Sequence, residues 1–380
     1  MGYKIKHLFF CFIVFFKCLS AQEILELGAD RTHDYFPILK DKTVGLIANQ
    51  SSLIGKTHMV DTLLSVNIQV LKVFCPEHGF RGTADAGSYI EDGIDKTGLP
   101  IVSLYGKNKK PSNHQLEGID ILLFDIQDVG ARFYTYISTL HYVMEAAAEN
   151  NIYLIVLDRP NPNGHYIDGP VLDITYRSFV GMHPVPIIHG MTIGEYALMI
   201  NGEQWLKDGV KCDLKVVPMS GYNKKIAYDL PIKPSPNLPN SKAVNLYPSL
   251  CLFEGTSVSV GRGTDLPFQH YGAPYLKSNY FFIPESKSGA KFPKHENQKC
   301  YGQDLRHSPR LNKLDLSFLI NAYNDCPNKE FFFNDFFDKL AGSNVLRLSI
   351  IEGIKEDVIR EEWKLKLDIF KEKREKYLLY

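Results

Sequence analysis

Glu77, His78 and Arg81 lie in the segment CPEHGFRG, which directly follows residues 70–74, a largely apolar run that is typical of a buried β-strand. Two glycines lie among them and would let a ligand approach the backbone closely. A carboxyl group among apolar neighbours is partly desolvated, which favours its protonated form and suits it to donate a proton. The positive charge of Arg81 would instead favour the ionised form of Glu77. The alternative is therefore a structural Glu77–Arg81 ion pair that braces the loop. The pattern therefore indicates either a general acid or a loop brace.

A second polar cluster follows the apolar residues 119–124 and contains Asp125, Asp128, Arg132 and Tyr134. These side chains supply acid–base groups, a cationic clamp and an aromatic face, which together suit a pyranose ring with apolar C–H faces and hydroxyl edges. The structural alternative is that Asp128 caps a helix and that an Asp–Arg ion pair forms. Both interpretations stay open for Asp128, whereas ligand contact is favoured for Tyr134.

A third strand-like run, residues 153–157, ends in a polar loop that contains Asn161 and Asn163. Amide side chains both donate and accept hydrogen bonds, so they could bind sugar hydroxyls, although asparagine is also a common turn former. The turn interpretation is stronger for Asn163 than for Asn161. Farther along, Arg262 stands between two glycines and either reaches across a cleft to an anionic group or sits exposed in a turn.

The elements that must position these residues alternate along the first two-thirds of the chain. Near-continuous apolar runs predict strands, and the segments 58–65 and 136–150 between them have helical periodicity; the predicted strands cover residues 43–48, 68–74, 101–105, 119–124 and 153–157. Such alternation predicts an α/β fold, a Rossmann-like doubly wound parallel sheet covered on both faces. Ligands bind such sheets beyond the carboxyl ends of the strands, which is where the polar clusters lie. The glycine fingerprint of dinucleotide-binding proteins is missing, so the sheet is interpreted as a scaffold.

Composition changes at residues 230–248, which contain five prolines and are predicted to hold neither a helix nor a central strand. We place the domain boundary here, with a Rossmann-like catalytic domain at 22–240 and a smaller α+β C-terminal domain at 241–380. In that second domain, helices are predicted over 311–324, 329–340 and 358–377 and a strand over 345–351. The last helix should turn Trp363, Leu367 and Phe370 inward, and Thr192 with Glu195 is predicted to form a capping box.

Overall composition limits the class of ligand. Lysine plus arginine and aspartate plus glutamate number 43 each, so no basic excess indicates nucleic acid binding. No segment after the N-terminus is long and apolar enough to span a membrane. The five cysteines beyond residue 21 are scattered without zinc-site spacing and are expected to be mostly buried. His78 has no second histidine at ligand spacing, so the metal interpretation is not favoured and no metal or cofactor is expected.

Residues 1–21 read as a secretory signal peptide. Lys4, Lys6 and His7 precede an apolar run, and cleavage is expected near Ala21. The predicted localisation is therefore exported, either periplasmic or secreted.

Taken together, these segments resemble one family, the NamZ-type exo-β-N-acetylmuramidases, formerly known only as a domain of unknown function. The matching segments are GLIANQ at 45–50, PEHGFRG at 76–82, FDIQDVGARFYTY at 124–136, LDRPNPNG at 157–164, PSPNLP at 234–239, LFEGT at 252–256 and GRGT at 261–264. The resemblance implies a bacterial exported glycosidase that removes terminal N-acetylmuramic acid from the non-reducing ends of peptidoglycan fragments. It also implies a site in the cleft between a Rossmann-like domain and a smaller domain, with Glu77 as the catalytic glutamate.

Glycosidic cleavage commonly uses two carboxyl groups. We therefore predict that Glu77 is the general acid. Asp128 is the first candidate for the second carboxylate, and Asp125 is the second candidate. The predicted substrate contacts are the arginines that could pair with the lactyl carboxylate of the sugar, Arg81, Arg132 and Arg262, and the pocket residues His78, Tyr134 and Asn161.

Two other functions stay open from the sequence. One is a non-catalytic peptidoglycan-binding protein that uses the same cleft. The other is a metal-dependent amidase or deacetylase built on His78 and distant Asp or His residues. The expected partners are peptidoglycan-derived, muramic-acid-containing saccharides, and the oligomeric state is left open.

Overall fold

A computed structural model describes residues 24–77, 79–80 and 92–380. The predicted signal peptide, His78 and Arg81 lie outside these described residues. Across the described ranges, no helix combines the length and apolar character needed to cross a lipid bilayer.

The described residues alternate between strands and helices over most of their length. The strands are β1 (Thr43–Ala48), β2 (Leu53–Ile54), β3 (Thr57–His58), β4 (Gln69–Cys75), β5 (Gly93–Ile94), β6 (Pro100–Ser103), β7 (Ile121–Asp125), β8 (Tyr153–Leu157), β9 (Asp168–Val171), β10 (Pro186–Ile188), β11 (Leu214–Val217), β12 (His270–Ala273), β13 (Tyr280–Phe282) and β14 (Cys300–Asp304). The α-helices are α1 (Thr32–Leu39), α2 (Met59–Ser65), α3 (Asn113–Leu116), α4 (Tyr136–Glu149), α5 (Ile193–Gly202), α6 (Ser241–Leu250), α7 (Ser317–Asp325), α8 (Phe337–Ala341), α9 (Val345–Ile351) and α10 (Glu356–Arg374).

The main sheet has seven strands in the order β11-β8-β7-β1-β4-β6-β5. Six strands are parallel, and only the edge strand β5 runs antiparallel to its neighbour β6. The chain therefore winds outward from β1 in one direction through β4 and β6, and in the other through β7, β8 and β11. This doubly wound order confirms the predicted Rossmann-like α/β fold and puts the reversal of strand order between β1 and β7.

Strand residues alternate between two cores, one on each face of the sheet. In β7, Leu122 and Phe124 pack into the core that α4 and α5 cover, whereas Ile121 and Leu123 pack into the core that α1 and α2 cover. All four side chains are buried, because a parallel sheet with helices on both faces exposes neither. This two-sided burial explains why the strands read as continuous apolar runs.

Several local predictions are confirmed. Helices α2 and α4 occupy the predicted segments, and α5 begins with the predicted capping box: Thr192 Oγ1 accepts from the Glu195 amide, and the Glu195 carboxylate accepts from the Thr192 amide. In the C-terminal part, α10 buries Trp363, Leu367 and Phe370 as expected. The five described cysteines are all buried and free, which also agrees with expectation.

The prediction that residues 230–248 contain no helix is wrong, because α6 begins at Ser241 and includes Pro248. Proline lacks the amide that would donate to the carbonyl four residues earlier, which here belongs to Val244. That carbonyl instead accepts a hydrogen bond of 3.0 Å from Asn163 Nδ2. The helix therefore tolerates an interior proline because a distant asparagine satisfies the carbonyl that the proline leaves open.

The predicted strand at 345–351 is also wrong, since these residues form α9 with Leu346 and Ile350 buried one turn apart. Tertiary packing overrides the β-propensity of this short apolar run. The predicted helix over 311–324 is shortened to α7, because side chains take the earlier amides: Asn245 accepts from Leu311 and Asp168 from Leu314. The three-stranded sheet β12-β14-β13 completes the predicted α+β C-terminal region.

The last residues of the chain contact the N-terminal part of the protein. The Tyr380 hydroxyl donates to Asp158 Oδ2 at 2.9 Å and accepts from the Met219 amide at 2.6 Å. The Tyr380 ring meets Tyr222 edge-on at 5.0 Å. The C-terminal tail therefore fastens to the loop regions after β8 and β11.

We expect Tyr380→Phe to lower the free energy of unfolding by about 1.5–3 kcal/mol, because it removes both hydrogen bonds and leaves the buried Asp158 carboxyl short of a donor. Urea denaturation followed by circular dichroism would measure this loss. As a matched control, Tyr377→Phe removes one hydrogen bond, to Glu203, and should cost less. Equal losses for the two variants would contradict the tail contact as described.

Candidate active site

A cavity of about 530 Å³ lies beyond the carboxyl end of β4, between the main sheet and the C-terminal part of the chain. Glu77, two residues after β4, lines it together with Thr135 at the start of α4. From the other side, Glu254, Arg262 and residues 289–294 complete the wall. The structure therefore places the predicted strand-end glutamate in a cleft between the two halves of the protein.

Neighbouring side chains orient the Glu77 carboxylate. It is half-buried, and its Oε2 accepts a hydrogen bond of 3.0 Å from Thr135 Oγ1. Burial, followed by the negative charge of Glu77, raises the pKa of Tyr105, whose ring lines the same cavity. Glu77 is thus oriented by Thr135, which precedes α4, and lies near Tyr105, which follows the neighbouring strand β6. A reacting group must be held in this way.

Aromatic side chains form much of the remaining surface of the cavity. Tyr134 meets Tyr136 at a ring separation of 4.7 Å and Tyr247 at 5.8 Å, both edge-on, and the Tyr134 hydroxyl donates to the carbonyl of Pro234 at 2.9 Å. At the mouth, the phenyl ring of Phe292 is 92% exposed. The predicted aromatic surface around Tyr134 therefore lines the cavity.

The wall opposite the sheet carries Lys291 and a charged cluster made of Glu254, Arg262 and Lys294. Arg262 Nε donates to Glu254 Oε1 at 2.6 Å, and the guanidinium lies 5.0 Å from the centre of the Phe268 ring. Lys294 Nζ donates to three nearby backbone carbonyls within 3.2 Å, those of Phe253, Glu254 and Thr256. Burial alone would raise the pKa of Glu254, but the charges of Arg262 and Lys294 hold it below its ordinary value. Glu254 is therefore an ionised carboxylate in this wall.

Of these three, only Arg262 was among the residues predicted from the sequence. Glu254 lies in the LFEGT segment, whose position next to a glycine was the available signal. Nothing in the sequence around Lys294 indicated a role in the site, because that role depends on its hydrogen bonds to the backbone turn at residues 253–256, about forty residues earlier in the chain.

Asp125 does not line the cavity. Its carboxylate is fully buried and forms a two-point ion pair with Arg159, at 2.6 Å to Nε and 2.9 Å to Nη2. Burial raises the pKa of Asp125, and the charge of Arg159 opposes that rise. The structure therefore corrects the expectation that Asp125 is available to a substrate in this cavity.

Asp128 is likewise absent from the cavity wall. Its side chain is buried, and Oδ2 accepts from the Gly130 amide at 2.7 Å, which closes a turn rather than capping α4. Gly130 has φ +77°, and a Cβ there would lie 2.1 Å from Asn161 Oδ1, so the turn requires glycine. The predicted Asp–Arg pair also does not form with Arg132, whose guanidinium has other partners.

Burial raises the pKa of Asp128 to about 7, whereas an unfolded aspartate titrates near 4. Because the folded form holds its proton more tightly, this group favours folding below about pH 4, and the contribution is lost as the pH rises toward 7. We expect Asp128→Asn to gain about 2–4 kcal/mol relative to wild type between pH 4 and pH 7.5, and to keep its activity. Chemical denaturation across this pH range measures the difference; equal pH slopes would contradict it.

Arg132 and Asn161 also serve the backbone rather than the cavity. The fully buried guanidinium of Arg132 donates at 2.8 Å to each of three carbonyls, those of Pro170, Val185 and Leu340, and burial lowers its pKa to about 9. Asn161 donates to the Met191 carbonyl and accepts from the Asn163 amide. The structure therefore corrects both predicted substrate contacts, because each side chain is buried and bonded within the protein.

Metal ligation is not indicated by the part of the chain that the structure describes, where no three His, Cys, Asp or Glu side chains gather in a ligating arrangement. His183 instead bonds the Tyr196 hydroxyl and the ring of His141, at 3.0 and 2.9 Å. These histidines thus form an internal hydrogen-bonded network.

Comparison with known proteins covers nearly the whole chain. Residues 44–242 match the domain described as exo-β-N-acetylmuramidase NamZ, N-terminal, and residues 245–380 match the corresponding C-terminal domain. The chain is 42% identical to the peptidoglycan β-N-acetylmuramidase NamZ of Bacillus subtilis (strain 168), over 91% of this chain and 89% of that protein.

Two crystal structures of DUF1343 family proteins from Bacteroides fragilis share the fold. The first has a TM-score of 0.88 and 47% identity, and covers 94% of this chain and 99% of its own. The second has a TM-score of 0.81 and 31% identity, with the same coverage. The similarity extends through both halves of the protein, including the segments that enclose the cavity.

Proposed function

Because this chain belongs to the NamZ family of exo-β-N-acetylmuramidases, we propose that it removes terminal N-acetylmuramic acid from the non-reducing ends of peptidoglycan fragments. It is a glycoside hydrolase. The observation that carries the proposal is one cavity that joins a half-buried glutamate after β4 to aromatic and cationic side chains from the C-terminal part. The substrates are muramic-acid-containing saccharides.

Glu77 is the proton donor in this proposal. Cleavage of a glycosidic bond needs a carboxylic acid that protonates the leaving oxygen while positive charge develops at the anomeric carbon. Glu77 lies in the cavity wall, and Thr135 Oγ1 donates a hydrogen bond to its Oε2, which fixes the direction in which the carboxyl group points. That arrangement supports a donor whose orientation is set before the substrate binds.

The lactyl carboxylate of muramic acid is recognised by the cationic part of the wall. Arg262, Lys291 and Lys294 line the cavity, whereas Glu77 and Glu254 are the acids among the described lining residues. Three cations against two acids give this lining a net positive charge, which favours an anionic sugar. Arg262 presents further N–H donors beyond the one used on Glu254, and a guanidinium binds carboxylates in a planar, two-point geometry.

When the terminal sugar is bound, the rest of the saccharide extends out of the cavity through its mouth. An exo-acting enzyme holds the terminal sugar in the recess, so the next sugar must lie toward solvent. The exposed ring of Phe292 is placed there, and an aromatic face suits the apolar C–H face of a pyranose.

We also propose that the protein is exported and acts in the periplasm or outside the cell. Support comes from the basic and then apolar residues before Ala21. N-terminal sequencing of the mature protein recovered from cells would test this; an intact N-terminus on all of the protein would contradict it.

The activity is tested by incubating the purified protein with the disaccharide N-acetylmuramyl-β-1,4-N-acetylglucosamine and with a muramyl peptide. Free N-acetylmuramic acid, measured by mass spectrometry and unaffected by EDTA, is the expected product. Binding without turnover would instead indicate a peptidoglycan-binding protein. Release of peptide or acetate that EDTA abolishes would indicate a metal-dependent amidase or deacetylase.

A further inference from the structure

We propose that Glu254 is the second catalytic carboxylate, the ionised group that faces the anomeric carbon while Glu77 protonates the glycosidic oxygen. The proposal rests on the proposed glycosidase function and deepens it by assigning the group that stabilises the developing positive charge. It replaces the two aspartates that the sequence had suggested for this role.

The first argument is position. Glu77 and Glu254 are the acids among the described residues that line the cavity, and they approach it from different halves of the chain. Glu77 follows β4 of the sheet, whereas Glu254 lies on the short 3₁₀ turn Cys251–Gly255 after α6. A sugar bound in the cavity therefore has a carboxyl group in the wall on each side, the arrangement that glycosidic cleavage uses.

The second argument is that the protein holds Glu254 firmly. The turn is packed so closely against α8 that a Cβ on Gly255 would lie 2.4 Å from the Phe337 Cα. Lys294 Nζ binds the carbonyls of this turn, and Arg262 Nε binds the Glu254 carboxylate. A group fixed in this way needs no reorganisation when charge develops in front of it, which is the main source of electrostatic catalysis.

The third argument is the charge state of the carboxylate. Arg262 and Lys294 face Glu254 from two separate segments, and the Cys251 thiol faces it from the same turn. The two cations lower the pKa of Glu254 despite its burial, so it is ionised in the working range of the enzyme. A weakly basic carboxylate is a poor acceptor for a proton from water but a good partner for a cation. We therefore assign Glu254 to stabilise charge rather than to activate water.

The two other candidate carboxylates, Asp125 and Asp128, form hydrogen bonds within the protein. Asp125 is in a two-point ion pair with Arg159, and Asp128 closes the turn at Gly130. Neither lines the cavity. Both side chains are buried.

The reaction follows from these assignments. Glu77 gives its proton to the glycosidic oxygen, the bond from C1 to that oxygen breaks, and the bonding electron pair leaves with the oxygen. The positive charge shared by C1 and the ring oxygen is balanced by the Glu254 carboxylate. One water molecule then adds to C1 from the face that the leaving group vacated and returns a proton to Glu77. Net consumption is one water, and the released sugar keeps the β configuration.

The test compares Glu254→Gln with Glu77→Gln on two substrates, the natural disaccharide and a 2,4-dinitrophenyl β-muramoside whose leaving group needs no protonation. We expect Glu254→Gln to lose on the order of 10²–10³-fold in kcat on both substrates. Glu77→Gln should lose activity mainly on the disaccharide. Glu296→Gln, the same change at an exposed residue of the neighbouring loop, should match wild type.

The outcomes separate this proposal from the proposed function. Absence of free N-acetylmuramic acid with wild-type protein would overturn the function itself. An active wild type with a folded Glu254→Gln variant that loses only affinity, or only thermal stability, would overturn the catalytic role of Glu254. A measurement on wild type needs no variant to fold: proton NMR in the first minutes should show β-N-acetylmuramic acid before it mutarotates. Initial release of the α anomer would overturn the assignment.

Discussion

Replacing Glu77 with Gln is expected to lower kcat for the muramyl disaccharide by about 10²–10⁴-fold while KM changes little. The amide has the shape of the carboxyl group and can still accept a hydrogen bond from Thr135 Oγ1, so the fold and the binding surface are preserved. What it cannot do is transfer a proton to the glycosidic oxygen. Steady-state kinetics with quantified release of N-acetylmuramic acid measures the effect.

Thr135→Val is the matched variant for this prediction. It keeps the β-branched shape at a buried position and removes the hydroxyl that orients Glu77. Loss of one hydrogen bond to a carboxylate corresponds to about 1.5–3 kcal/mol, so the rate should fall by about 10–10²-fold, which is less than for Glu77→Gln. If Glu77→Gln retained near-normal turnover of the disaccharide, Glu77 would have no part in the chemistry.

Replacing Asp125 with Asn is expected to destabilise the protein by about 3–5 kcal/mol, the largest stability effect predicted for this chain. The substitution removes the carboxylate that forms the ion pair with Arg159 and leaves a guanidinium, 5% exposed, without that partner. Because Asp125 does not line the cavity, the fraction that stays folded should keep its kcat. Urea denaturation and kinetics below the unfolding transition measure the two effects separately.

Two further variants test whether the loss of stability comes from the unpaired buried charge of Arg159. Asp125→Asn combined with Arg159→Met removes both charges and should recover part of the lost stability, because the uncompensated charge disappears. Asp265→Asn breaks the exposed pair with Lys287, whose aspartate is 93% exposed, and should cost less than about 1 kcal/mol. A stable Asp125→Asn variant with a large loss of kcat would instead return Asp125 to the catalytic machinery.

The elements of the fold were largely predictable because their signals are local. A strand buried on both faces must be apolar throughout, so β1, β7 and β8 could be read directly from their composition. The capping box at Thr192 needs only four residues to be recognised. Prediction failed where a distant residue decides the outcome, as at Pro248, whose helix depends on Asn163 satisfying the Val244 carbonyl.

The sites were less predictable, for a related physical reason. Polar side chains at a strand end can turn toward a ligand or toward the backbone of the loops that they brace, and residue type does not distinguish the two. Arg132 satisfies three backbone carbonyls, one of them more than 200 residues away at Leu340. Asn161 shapes the turn around Gly130. Both carry the right chemistry for a sugar, yet packing commits both to the protein.

By itself, the sequence determined the doubly wound sheet and a glutamate at the end of β4, and its motifs indicated the family. Local periodicity and continuous motifs carry that information without reference to the rest of the chain. Only the tertiary structure decided which second acid joins Glu77 in the cavity. That choice depends on where the turn at Cys251–Gly255 and the residues around Lys294 meet the sheet. Two segments nearly 180 residues apart in the chain become the two walls of one cavity, and no local pattern encodes their meeting.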